Sequence, residues 1–348
     1  MSNTLQKTKK KLEKLANVLD KCGTLLIVTH DYPDPDALAS AMVLSYLVRK
    51  RYRKRTRIAY GGLITRAENR AMVKQLKIKL THADKIRWNR YRCVAMVDTQ
   101  PPFGNHSLPE EIKPTIVIDH HPKKEALQVD FEDIETETGA SVILLLQYLK
   151  AAELELPVNL ATAITYAIRS ETQELSRDTT KNDINTYLDI YLKANKRKLA
   201  RIYNPKLPKS YFVLLHRALQ NAMVFRHLAH VHLGEVESPE FVSQVADILL
   251  RHERISWALA TGRFDDELFI SLRCGRPNSN AGNTLRQIVA NLGVAGGHAR
   301  IAGGQVPLNE HQDTSWEELE HQIIERFLQK LRYAKEAEWK PMLVRDET

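Results

Sequence analysis

Apolar side chains recur at helical spacing between residues 4 and 20, where Leu5, Leu12, Leu15, Ala16 and Leu19 share a face. The pattern then changes. Residues 24–29 (TLLIVT) form a continuous apolar run rich in β-branched side chains, which predicts a short strand buried on both sides. Residues 92–97 and 115–118 repeat that run, and residues 57–60, ended by Gly61-Gly62, predict a further strand. Residues 37–49 predict a helix with Leu38, Met42, Leu44, Ser45 and Leu47 on one face, and two more helices are predicted over 139–151 and 158–169. Continuous rather than alternating apolarity belongs to a mainly parallel sheet covered by helices. The first domain is therefore expected to be a doubly wound α/β domain spanning residues 1–192.

From residue 193 to 210 the chain turns basic and is interrupted by Pro205 and Pro208, which reads as a linker. Beyond it, strand patterns at 230–233, 258–261 and 268–272 alternate with helical ones at 241–251 and 284–292. These predict a second, smaller α/β domain over 211–348. A final charged helix is predicted over 316–337, with Ser315 and Glu318 at capping-box spacing.

Composition narrows the setting. A chain of 348 residues suits about two domains, and 43% hydrophobic with 27% charged residues argues against disorder. No apolar run approaches the ~20 residues needed to cross a bilayer, so no membrane partner is expected. The lysine-rich start has no apolar stretch behind it and is unlike a secretion signal. Cys22, Cys93 and Cys274 lie far apart and form no C-x-x-C pair. They predict neither a zinc site nor a disulfide framework, and a cytoplasmic location is expected. Lys and Arg number 51 against 42 Asp and Glu, a net +9 that favours acidic partners such as nucleotides, nucleic acid or polyphosphate. Much of this excess is local: Arg49, Lys50, Arg51, Arg53, Lys54, Arg55 and Arg57 form one patch. Two readings stand for it, a solvated helix end whose cations complement the helix dipole, or a surface that attracts phosphate.

Three predicted buried strands run into acids and imidazoles. The first leads into His30-Asp31-Tyr32-Pro33-Asp34-Pro35-Asp36, the next into Asp98-Thr99, and the third into Asp119-His120-His121. Ligands of an open parallel sheet bind at the carboxyl ends of its strands, so these groups are expected to meet in one crevice. Carboxylates gathered there repel one another unless a cation sits among them. Carboxylate with imidazole suits Mn²⁺, Mg²⁺ or Fe²⁺ better than structural zinc. Asp34 and Asp36 can each face a different ion, with Asp98 shared. Such a pair of ions makes a hydroxide for in-line displacement at phosphorus and needs no protein nucleophile. Glu171 is a candidate for the second metal, and with Asp34, Asp36 and Asp98 it would set four negative charges against two divalent ions; the plain alternative is a surface Glu at a helix end. In the second domain, the glycines of Gly296-Gly297-His298-Ala299-Arg300-Ile301-Ala302-Gly303-Gly304 admit a phosphate closely, with His298 and Arg300 as donors. Arg273, at a predicted strand end, reads either as a bidentate phosphate contact or as a surface arginine.

The ordered set His30-x-x-x-Asp34-x-Asp36-Ala, Asp98, Asp119-His120-His121 and Gly297-His298 resembles the DHH phosphoesterases with a DHH-associated C-terminal domain, over about residues 20–310. Chain size most resembles the nanoRNase type, which cleaves short oligonucleotides and removes the 3′-phosphate of pAp. The resemblance implies two Mn²⁺ ions, His30 and Asp34 on one, Asp36 and His120 on the other, and Asp98 bridging. Catalysis then falls to Asp98, His120 and His121, with His121 facing the substrate phosphate or supporting the site and Asp119 orienting the histidines. Arg273, Gly297, His298 and Arg300 would bind substrate from the second domain, with the scissile phosphate between the domains. A short RNA, DNA or small nucleotide substrate and a homodimer are implied in the same way. The pattern departs from the family at Glu171-Thr172, where Asp-Thr is usual, at Pro35 and Ala39, where Gly is usual, and at Ala295 and Ile301. Polyphosphate or pyrophosphate hydrolysis, cyclic-dinucleotide cleavage, and nucleic-acid binding by a decayed site are the alternatives.

Overall fold

The apolar runs become the centre of one sheet. The computed structural model describes residues 3–64, 66–176, 179–276, 279–297, 299–308, 315–333 and 337–343. It divides into two units, Met1–Lys206 and Leu207–Thr348. The strands of the first unit are β1 (Thr24–Val28), β2 (Arg55–Tyr60), β3 (Leu80–His82), β4 (Cys93–Val97), β5 (Ile116–Asp119) and β6 (Phe131–Ile134). Its helices are α1 (Asn3–Asp20), α2 (Pro35–Arg51), α3 (Ala67–Leu76), α4 (Ser141–Ala151), α5 (Val158–Glu171), α6 (Lys181–Lys193) and α7 (Lys196–Tyr203). The sheet runs β3-β2-β1-β4-β5-β6 with every pairing parallel. The chain thus winds outward from β1, returns, and winds the other way from β4. The gap between β1 and β4 is the switch point where such sheets bind ligands.

Burial on both faces is why the central strands are continuously apolar. Leu25, Ile27, Ala95, Val97, Ile116 and Ile118 join one core with side chains of α1, α2, α4 and α5. Leu26, Val28, Val94, Met96 and Val117 point the other way, under Ile86, Trp88, Leu108, Ile112 and Leu127. This second face is sealed by the β3–β4, β4–β5 and β5–β6 connections, whose only helical pieces are short 3₁₀ turns.

Two expectations need correcting. Cys22 and Cys93 form a disulfide with Cα atoms 5.7 Å apart, across 71 residues of sequence. The register that sets Leu25 beside Cys93 brings the two thiols together, which their spacing along the chain conceals. Cys274 alone is free, and buried. The stretch read as a linker instead contains α7, whose Leu199 and Ile202 are buried in the first unit's core.

The second unit contains α8 (Lys209–Asn221), β7 (Met223–Phe225), β8 (Leu228–Glu235), α9 (Glu240–Leu250), β9 (Trp257–Phe264) and β10 (Glu267–Cys274). There follow α10 (Ala281–Ile288), β11 (Val294–Gly297), β12 (Ile301–Pro307), α11 (Trp316–Lys330) and β13 (Lys340–Pro341). Its sheet is mixed, in the order β11-β12-β10-β9-β8-β7-β13, with only β8 and β9 parallel. Side chains of α10 and α11 cover one face and those of α8 and α9 the other. The last helix stops at Lys330, short of the expected 337, and carries the anticipated capping box of Ser315 and Glu318.

Candidate metal centre

The loop after β1 is stiffened by Pro33 and Pro35, and its acids are held by helix ends. Asp34 caps α2, its Oδ1 accepting the Ala37 N–H at 2.9 Å, with Pro35 at the first helical position. Asp36, in the first turn of α2, is buried and faces the N-terminus of α4. Its oxygens accept the backbone N–H groups of Ser141 at 2.6 Å and Val142 at 2.9 Å. Asp98 directly follows β4 with φ of 59°, a left-handed conformation that costs a non-glycine residue about 1 kcal/mol. Its N–H still donates to Ile118 O at 3.0 Å, and its Oδ1 accepts the Ser141 hydroxyl at 2.8 Å.

Asp98 is the hub. Its Oδ2 lies 3.8 Å from His30 Nε2, and its Oδ1 lies 3.6 Å from His120 Nε2 and 3.9 Å from His121 Nδ1. Asp34 Oδ1 is 3.7 Å from His30 Nε2. Two groups of potential ligands result, His30-Asp34-Asp98 and Asp98-His120-His121, sharing the one carboxylate. These gaps are too long for hydrogen bonds, yet two atoms each ~2.1 Å from a common ion lie no more than ~4.2 Å apart.

The tautomers fit the same purpose. His30 Nδ1 is 2.8 Å from Asp31 O, and His120 Nδ1 is 3.2 Å from Thr138 O. A carbonyl only accepts, so each Nδ1 carries the proton and each Nε2 is available to a cation. His120 Nε2 is buried and has no hydrogen-bond partner, a loss of ~1–3 kcal/mol for a buried polar atom left this way. That orphaned nitrogen, facing a shared carboxylate, fits a divalent ion.

The charges agree. Burial, then Asp36, Asp34, Asp119 and Glu171, push the Asp98 carboxyl well above its usual range. Burial also raises Asp36, against the pull of His120. Burial alone would lower the His30 imidazole, but the nearby Asp34 carboxylate outweighs it and holds it up at about 9. Burial would conversely raise Asp34, and His30 brings it down to about 2. Without a metal, protons therefore occupy the places of cations.

Asp119 is fully buried and holds the adjacent residues in place. Its Oδ1 accepts the His120 N–H at 2.8 Å and sits 2.9 Å from His121 Nδ1, while its Oδ2 accepts Gln100 Nε2 at 2.7 Å. Burial lowers the His121 imidazole, but the Asp119 bond and charge raise it further. With Nδ1 donating to Asp119, His121 turns Nε2 away from that bond, and its side chain is 45% exposed. Phe103 meets its ring edge-on at 6.0 Å, and Lys124 stands over the Phe103 ring.

Asp36 falls in neither ligand group, although it is electrostatically coupled to Asp34, Asp98 and His120. Glu171 ends α5, and its charge is felt at both Asp98 and His121. Ser141, Thr138 and Gln100 escaped the sequence reading. The only trace of them was the small-residue start Gly139-Ala140-Ser141 before an apolar helix.

The second-unit candidates are placed differently. Arg273 is 4% exposed, and its guanidinium donates to Asp247, to Ser271 Oγ at 2.8 Å and to the carbonyls of Leu272 and Ala302 at 3.2 Å. It is an internal strut of the second sheet. Gly297 ends β11 at φ of 134°, where a Cβ would come within 2.3 Å of Ile301 O, so hairpin closure itself requires glycine. Arg300 is exposed at the tip, and His298 lies outside the described residues.

Residues 24–168 match the DHH family, N-terminal domain. An uncharacterised protein of Methanocaldococcus jannaschii is 35% identical over 319 residues, 90% of this chain and 64% of that protein. A protein of Lactobacillus delbrueckii subsp. bulgaricus named "Probable manganese-dependent inorganic pyrophosphatase" is 27% identical over 156 residues, 44% of this chain and 50% of the relative. The chain thus spans less than two thirds of the length of either relative. Among solved structures, an exopolyphosphatase-related protein from Bacteroides fragilis superimposes with a TM-score of 0.71 at 16% identity, over 92% of this chain and 96% of that one. It has the same fold.

Proposed function

The chain carries a DHH family N-terminal domain, and from that premise we propose that it is a two-metal, Mn²⁺-dependent phosphoesterase acting on short oligonucleotides or on nucleotide phosphates such as pAp. The observation that carries this reading is the shared Asp98, set between imidazoles whose Nε2 atoms converge on it from both sides. Two divalent ions held there by His30, Asp34, Asp98 and His120, with Asp36 and Glu171 adding charge, supply Lewis acidity toward phosphoryl oxygens and an acidified water. The protein's own groups do the rest. Asp34 and Asp98 fix charge at the switch point, and Asp31 O and Thr138 O hold the two rings in their ligating tautomer. His121, its imidazole raised by the Asp119 bond and charge, is placed to bind a phosphoryl oxygen or, when protonated, to give a proton to the leaving group. Phe103 beside it offers an aromatic surface for a base, which favours a nucleotide over an inorganic substrate.

A second reading, pyrophosphate hydrolysis, is favoured by the name of the Lactobacillus relative. One panel separates them: chelator-treated protein with pAp, two- to five-nucleotide RNA, cyclic-di-AMP and pyrophosphate, with and without Mn²⁺. Metal-restored turnover of pAp or RNA is expected. Turnover of pyrophosphate alone replaces the first reading with the second, and silence across the panel with metal bound refutes both.

A further inference from the structure

A groove of about 690 Å³ opens at the other end of α2, lined by the last turns of that helix, the start of β2 and the approach to β3. At 1.5 Å per residue, the 13 residues from Asp36 to Arg49 separate it from the metal centre by ~20 Å along the helix. Arg49, Lys50, Arg53, Arg57, Lys77 and Lys79 line it, all exposed, and no lining residue is acidic. Among the described residues none of the six is in an ion pair.

Helix dipoles do not account for this charge. α2 and α3 both end here, and two helix C-termini amount to roughly one negative charge in total, against six cations. Arg53 and Lys77 even occupy left-handed positions, φ 58° and 55°, where glycine or asparagine ordinarily ends a helix. The groove's floor is different in character. Met42, Tyr46, Ile58, Leu80 and Leu160 contribute an aromatic and aliphatic surface, and a hydrogen bond of 2.7 Å between Ser45 and Thr56 pins α2 to β2 beneath it. A cationic rim over an apolar floor matches a ligand that is polyanionic on one side and flat and apolar on the other. Inorganic polyphosphate would leave the floor unused, and a lipid surface would not enter a concavity.

We propose that this groove binds a segment of single-stranded nucleic acid, its phosphates on the cations and its bases over the Tyr46 floor, as a site separate from the metal centre. The test is binding of a fluorescein-labelled twelve-nucleotide strand by anisotropy in EDTA, so that it is independent of hydrolysis and of the reading of the metal centre. Wild-type protein should show log K falling with log salt by about 0.7 for each phosphate engaged, a slope of about −2 or steeper. Arg49→Gln/Arg53→Gln/Arg57→Gln should weaken binding at least about tenfold and flatten the slope by about 1.4–2. All three side chains are exposed, so an unchanged thermal melt is expected and checks the fold. Unchanged affinity and slope in the triple variant overturn the proposal. So does inorganic polyphosphate competing as tightly as the strand, or loss of binding to phosphatidylserine vesicles but not to the strand.

Discussion

Replacing Asp98 by Asn tests the metal centre most sharply, because the same change should move stability and activity in opposite directions. The amide keeps the shape of the carboxyl and still accepts the Ser141 hydroxyl, so the buried hydrogen bond survives. In metal-free protein burial and four neighbouring acids push the Asp98 carboxyl well above its usual range. An acid whose folded pKa is raised loses stability as pH climbs from its unfolded value towards the folded one. Asn cannot ionise and escapes that loss. Metal-free Asp98→Asn protein should therefore melt at or above the wild-type temperature at pH 8, by ~2–4 °C for each kcal/mol relieved. With Mn²⁺ the order reverses. The substitution removes the carboxylate common to both ligand groups, and a 100-fold loss of affinity cancels about 2.7 kcal/mol of metal-induced stabilisation. Turnover should fall on the order of 10²–10³-fold. Calorimetric melts with and without Mn²⁺, beside kcat/KM on the active substrate, read both effects. Turnover within about threefold of wild type, with the metal-induced shift intact, would falsify the shared-ligand role of Asp98.

Two further outcomes follow from features already described. Metal binding should release a proton at pH 7 from His30, which titrates at about 9, so apparent affinity should rise with pH up to that value. Titration calorimetry in phosphate and in Tris reads this, and identical heats in the two buffers contradict it. The Cys22–Cys93 disulfide closes a loop across 71 residues, which the chain-entropy argument values at about 4 kcal/mol. Oxidised protein should withstand correspondingly more urea than reduced protein, and coincident midpoints exclude the contribution.

The strands at the centre of the first sheet were legible because each is buried on both faces and reads as an unbroken apolar run. The edges were not. β3 is three half-buried residues, and β6 alternates over only four, too little pattern for either to stand out. The segment 196–203 looked like a linker because its cations dominate its composition, while only Leu199 and Ile202 are buried. At the site, acids and imidazoles after strand ends announced themselves, since repelling carboxylates there lack a structural reason. Their partners did not. Which ring nitrogen of His120 carries the proton depends on Thr138 O, and the hold on Asp36 depends on the backbone of α4, so neither has a signature in side-chain identity. Arg273 shows the converse: an arginine at a strand end reads the same whether it meets a phosphate or, as here, Asp247.

The disulfide sits at the amino ends of β1 and β4, the two strands whose opposite ends carry His30, Asp34 and Asp98. Five residues of β4, ~17 Å of extended chain, separate the staple from the acid cluster. The pair is built like tweezers welded at the base. The two arms cannot slide past one another or part at the bottom, so any change in the spacing of the tips is left to the loops that follow Val28 and Val97. A larger ion must be accommodated by bending those loops, one proline-stiffened and the other turned through a left-handed residue. Ionic radius thereby becomes a quantity the backbone can measure.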